Sequence, residues 1–178
     1  MQADLLIYNA AQLLTVASPQ GPKRGKAMGE LGIIKDGSVA IRNGRVLRTG
    51  PSDTLSSQVD AAHRLDAGGR VVMPGFVDPH THLVWAGARA GEFEMRVAGA
   101  SYMQIMGAGG GIMSTVRHTR AAPVDELVAQ TRPRLERMLA HGTTTVEIKT
   151  GYGLSTQDEL KQLQAIRALQ VESPVALV

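Results

Sequence analysis

His80-Thr81-His82 stand directly after Phe76-Val77-Asp78-Pro79. In an extended chain, residues two apart point to the same side, so both imidazoles can converge on one metal ion. A metal ion held there would lower the pKa of a bound water towards neutrality. Asp78, just upstream, suits a carboxylate that orients a ligand or fixes the strand end. Arg89 follows on the same rim, and its planar guanidinium suits a two-point grip on a carboxylate. Tyr152, between Gly151 and Gly153, and Tyr102 offer phenolic hydroxyls from two turns further along. Each residue also has a plainer reading: a core or turn-capping histidine, a surface arginine, an aromatic plug in a turn.

These side chains need elements to carry them. Val71 to His80 reads as a buried strand interrupted by Pro74-Gly75, which places the histidines at its C-terminal end. Thr143 to Lys149 is strand-like and runs into the turn at Gly151 to Gly153, so Tyr152 overhangs the end of a second strand. Between them, Val124, Leu127, Val128, Leu135, Met138 and Leu139 fall on one helical face, with Gly142 as the stop and a kink or break expected at Pro133. Thr156 and Glu159 match a capping box, followed by Leu160, Leu163, Ile166 and Leu169 at helical spacing. Pro174 ends that helix and Val175 to Val178 begins a third strand. The order strand, long loop, helix, strand, helix, strand predicts a parallel sheet or barrel.

The region before it has another character. Asp4 to Asn9, Ser38 to Arg42 and Arg45 to Arg48 read as strands, with Asn43-Gly44 as a two-residue hairpin turn. Ser18 to Lys26 reads as a mobile loop. The expected division is therefore a mostly β unit over 1–72 and an α/β unit over 73–178, the first part of a longer protein.

Composition narrows the function classes. The 178 residues are 43% hydrophobic and 20% charged, with a net charge of +3 and no cysteine, which argues for a folded chain without disulfides or thiolate metal sites. The pI near 9.5 invites a nucleic-acid reading. The basic residues are scattered, however, and aromatics are only 3%, which argues against it. No apolar run is long enough to span a membrane, and Asp4 stands where a secretory signal would carry positive charge, so a cytoplasmic location is expected. Gly107 to Gly111 lacks the Lys-Ser/Thr pair of a phosphate loop, with Ile112-Met113 in its place, and reads instead as a flexible loop near a site mouth. Lys149 reads as polar lining. His141 lies at the opposite strand end, and His63 and His118 have no ligand context.

The string Pro74-Gly75-Phe76-Val77-Asp78-Pro79-His80-Thr81-His82 resembles the motif that ends the first barrel strand of the amidohydrolase superfamily. Residues 81–89, 102–112, 114–120 and 141–154 are similar to its members that open an imidazolone ring. The resemblance implies a small β-sandwich flanking a metal-dependent (β/α)8 barrel. It also implies hydrolysis of 4-imidazolone-5-propanoate to N-formimidoyl-L-glutamate in histidine degradation. His80 and His82 are then two ligands of one zinc or iron ion, and Arg89, Tyr152 and Tyr102 contact the substrate. The remaining ligands, a histidine and an aspartate, and the proton-transfer glutamate and histidine come from later strands, so no catalytic residue is assigned within these residues. A complete barrel needs about 250 residues, and this chain has room for roughly three strands. The expected partners are a small-molecule substrate and, by resemblance, a second copy in a homodimer. The alternatives are another cyclic-amide hydrolase of the superfamily, or a truncated polypeptide without catalysis.

Overall fold

The computed structural model describes all residues, Met1–Val178, which divide into two compact units, Met1–Pro74 and Gly75–Val178.

The first unit is a five-stranded sheet built on β1 (Gln2–Leu14). β2 (Ile33–Arg42) pairs with it antiparallel and β3 (Arg45–Pro51) pairs with β2; β4 (Asp60–Asp66) and β5 (Val71–Val72) run parallel to β1. The β2–β3 turn is the expected one, since Asn43 and Gly44 have φ of 52° and 69°, the paired left-handed conformation of a type I′ hairpin. β1 runs past the expected end at Asn9 because the chain bulges there and resumes pairing at Ala10. Asn9 takes the left-handed conformation, φ 59°, which asparagine tolerates better than most residues. Its N–H donates to Ser52 Oγ at 2.9 Å and its side chain to Asp66 at 2.9 Å. Helix α1 (Ser52–Gln58) covers one face, packing Leu55 and Val59 against Leu6 and Ala40. Strand alternation puts Val39 and Ile7 on the other face, with Ala10 and Leu13.

In the second unit, β6 (Phe76–Thr81), β7 (Thr143–Ile148) and β8 (Ala176–Leu177) form a parallel sheet in that order. Parallel strands joined through helices make this an α/β unit. α5 (Val124–Ala140) and α6 (Thr156–Glu172) cross between the strands. Their inner faces bury Leu127, Leu135, Ala165, Ile166 and Leu169 against Val146, Ile148, Val175 and Leu177. The expected face of α5 is the observed one.

Several expectations are corrected. The stretch Val71 to His80 is not one buried strand: β5 joins the first unit, β6 is an edge strand, and Val71, Phe76 and Val77 stay more than half exposed for want of a neighbour. The presumed long loop holds three helices, α2 (Ala90–Val97), α3 (Tyr102–Gly107) and α4 (Ile112–Ala121). Their period was concealed because α4 buries Thr115 and Thr119 beside Val116, polar types where an apolar repeat is sought. Pro133 does not break α5, which is helical throughout. The cap of α6 is Ser155, whose hydroxyl accepts from the Asp158 N–H at 3.2 Å. Leu160 and Leu163 are half exposed, while Gln162 and Ala165 take the buried positions.

Candidate functional site

β6 delivers His80 and His82 to its C-terminal end. Thr81 pairs with Ile148, whose side chain is buried under the helices, so the alternating histidines face the other, open side of the sheet. Their ring centroids are 5.7 Å apart at 65°. Metal–nitrogen bonds of about 2.0–2.1 Å set two rings on one tetrahedral ion roughly 5 Å apart. The pair therefore fits a shared divalent ion with a small adjustment. No group of three or more His, Cys, Asp or Glu in this chain has metal-binding geometry, so these residues supply two donors and no more. Asp78 accepts from the His80 N–H at 3.3 Å and so holds the strand end rather than an imidazole.

The Gly151–Gly153 turn lies against the histidines. The Tyr152 ring is 5.7 Å from that of His82. A Cβ on Gly151, φ 151°, would stand 3.0 Å from the His82 ring, closer than most side chains pack. The turn is held from α6: Glu159 accepts from the N–H groups of Gly153 and Leu154 at 2.8 and 2.7 Å. Burial disfavours the Glu159 charge, but those donors, with Thr150 and Gly151, outweigh it and hold the carboxyl below its ordinary value.

Beside the turn opens a cleft of about 360 Å³ lined by Trp85, Arg89, Glu92, Phe93, Arg96, Thr115 and Tyr152. Arg89 donates to Glu92 through Nε at 3.0 Å and Nη2 at 2.8 Å. That bond raises the guanidinium's pKa, with Tyr152 and Tyr102 close enough to add to the effect. The same bond lowers that of Glu92, helped by the Gly111 N–H, which donates to it at 2.8 Å. Only two of the five guanidinium hydrogens are spent on Glu92, leaving the other donors for a ligand anion. Tyr102 opens α3, is 60% exposed and does not line the cleft.

The expected residues thus fall in two neighbouring places, His80 and His82 at the strand end, Arg89 and Tyr152 in the cleft. Lys149 pairs with Glu147 on the histidine side of the sheet. His118 and His141 turn back onto carbonyls of their own helices, those of Ser114 and Arg137. Sequence reasoning missed Glu92, Trp85 and Arg134 and took Glu159 only for a cap. The spacing of Arg89 and Glu92 at a helix start was the one readable signal for the first.

A parallel α/β sheet with paired histidines at a strand's C-terminal end is the arrangement of the amidohydrolases, and the amidohydrolase family model matches residues 64–121. The fold agrees. An adenosine deaminase from Xanthomonas campestris superposes with a TM-score of 0.59 at 16% identity, over 99% of this chain and 42% of that one. Guanine deaminase of E. coli gives 0.58 at 17% identity, over 93% and 35%. Sequence narrows the assignment. Imidazolonepropionase of Chloroflexus aggregans is 54% identical over 98% of this chain and 41% of its own length, and that of Herpetosiphon aurantiacus is 53% identical over 99% and 40%. The chain belongs to the imidazolonepropionase family of amidohydrolases. It spans about two fifths of the length of the curated relatives it matches.

Proposed function

We propose that the protein carrying this chain opens the imidazolone ring of 4-imidazolone-5-propanoate with water, giving N-formimidoyl-L-glutamate. The observation that carries this reading is the juxtaposition of two metal-ready histidines with an arginine-floored cleft, joined through the Tyr152 turn. His80 and His82 hold one divalent ion, zinc or iron, together with donors from outside this chain. Such an ion, when bound, lowers the pKa of its water towards about 7 and so makes hydroxide available at neutral pH. In the overall reaction water adds at the ring carbonyl and the carbon–nitrogen bond breaks; the carbonyl becomes a carboxylate and the departing nitrogen takes a proton.

The residues described here do the holding. Arg89, fixed from behind by Glu92, turns its remaining donors to the propanoate. Tyr152 stands between that anchor and the histidines, with its hydroxyl toward the substrate. In this reading β6, β7 and β8 are the first strands of a (β/α)8 barrel, whose sites lie at the C-terminal strand ends, and the first unit belongs to a small β-sandwich. Metal analysis tests the assignment. The complete protein should hold about one divalent ion per chain, and His80→Ala and His82→Ala should each lose most of it along with activity. Retained metal and unchanged turnover in both variants would overturn the site.

A further inference from the structure

Beyond the residues just assigned, we propose that Arg134 is a positioning residue. It clamps the segment between His82 and Arg89 and so sets the distance between the metal end and the carboxylate end of the site. The proposal rests on the functional reading above for what those two ends do; the clamp itself rests on geometry alone.

After β6 the chain runs without regular secondary structure until α2, yet Val84 and Ala86 are 1% and 2% exposed. An irregular backbone buried this way must find partners for its polar groups outside any helix or sheet. Two helices provide them. From α4, Thr119 Oγ1 accepts the Ala86 N–H at 3.2 Å. From α5, a single nitrogen of Arg134, Nη1, donates to the carbonyls of Leu83 at 2.9 Å and Trp85 at 2.8 Å. Its two hydrogens match two carbonyls. The guanidinium also lies over the Trp85 indole, its central carbon 3.4 Å from the ring centroid, an attractive cation–π arrangement. Burial works against the arginine's charge, so the two carbonyls and the ring are what hold it there.

This arrangement reaches the site from both sides. Leu83 directly follows His82, and Trp85 lines the same cleft as Arg89 and Tyr152. Arg134 itself projects from a helix anchored by Leu127, Thr131 and Leu135, all buried. Lysine reproduces this only in part: its ammonium can donate to the carbonyls but has no planar group to stack on the indole.

The test uses the complete, metal-loaded protein and its Arg134→Ala, Arg134→Lys and Arg134→Gln variants. Hydrogen exchange by mass spectrometry is followed over residues 82–89, with peptides of α6 as internal reference, beside KM and kcat for imidazolonepropanoate. The clamp predicts exchange over 82–89 faster by about 10-fold or more in Arg134→Ala, with α6 unchanged. A misplacement of the anchor end also predicts KM higher by roughly 10-fold, with partial recovery in Arg134→Lys. Should Arg134→Ala not fold, Arg134→Gln carries the same comparison. Unchanged exchange over 82–89, or acceleration spread evenly through the unit, would overturn the clamp. Fast exchange confined to 82–89 in a protein that does not turn over the substrate would support the clamp and sink the functional reading instead.

Discussion

Arg89 and Glu92 show how one contact serves two purposes. The carboxylate orients the guanidinium and, through Gly111, ties the start of α2 to the start of α4. Glu92 is held below the ordinary glutamate value by Arg89 first of all. Its bond with Arg89 is therefore fully present above the ordinary carboxylate range near 4.3 and is lost as pH falls through the lowered value. A carbon-13 titration should give Glu92 a midpoint below the ordinary one, and Arg89→Ala should move it back up. An identical midpoint in both proteins would mean that the pair does not exist in solution. At this scale the sequence was readable where chemistry dictates residue type, in His80, His82 and Arg89. It was unreadable where a residue acts on another's backbone: nothing local marks Arg134, because its acceptors lie 51 and 49 positions away.

Among the elements, the turn carrying Tyr152 depends on α6. Glu159 accepts from two N–H groups that have no other protein acceptor, so Glu159→Ala should cost about 1 kcal/mol. Urea unfolding measures the loss, and faster exchange at the Leu154 amide should accompany it; an unchanged midpoint would show that water replaces the carboxylate. The pairing of β6 with β7 has its own constraint. A Cβ at Gly75 would overlap the Thr144 hydroxyl oxygen and fall 2.8 Å from its Cβ, which explains glycine at the entry to the strand. Gly75→Ala should destabilise by about 1–3 kcal/mol through overpacking, and Thr144→Gly in the same chain should recover part of it. Full stability in the single variant would contradict the close approach. The hairpin at Asn43-Gly44 and the long amphipathic α5 were legible because each repeats a strong local rule. Strand β4 was not, since its surface is almost wholly exposed and backbone pairing with β1, rather than an apolar pattern, makes it a strand.

At the scale of the molecule, the sheet of the second unit ends on an exposed β6, and Phe76 and Val77 show 53% and 64% of their surface. The motif that names the family sits on this strand, so its apolar residues read as core while its surroundings here leave them open. That is why burial was misjudged at the one strand whose chemistry was most legible. The proposed function requires the propanoate of the imidazolone to bind at Arg89 in the neighbouring cleft. Its most direct test is turnover of 4-imidazolone-5-propanoate against the corresponding propanamide by the complete protein and by Arg89→Ala. A charged hydrogen-bonded contact contributes about 1.5–3 kcal/mol. The complete protein should therefore prefer the acid by about 10- to 100-fold in kcat/KM, and the variant should lose most of that preference. Equal preference in both proteins, or no turnover of either compound by the unaltered protein, would contradict the account.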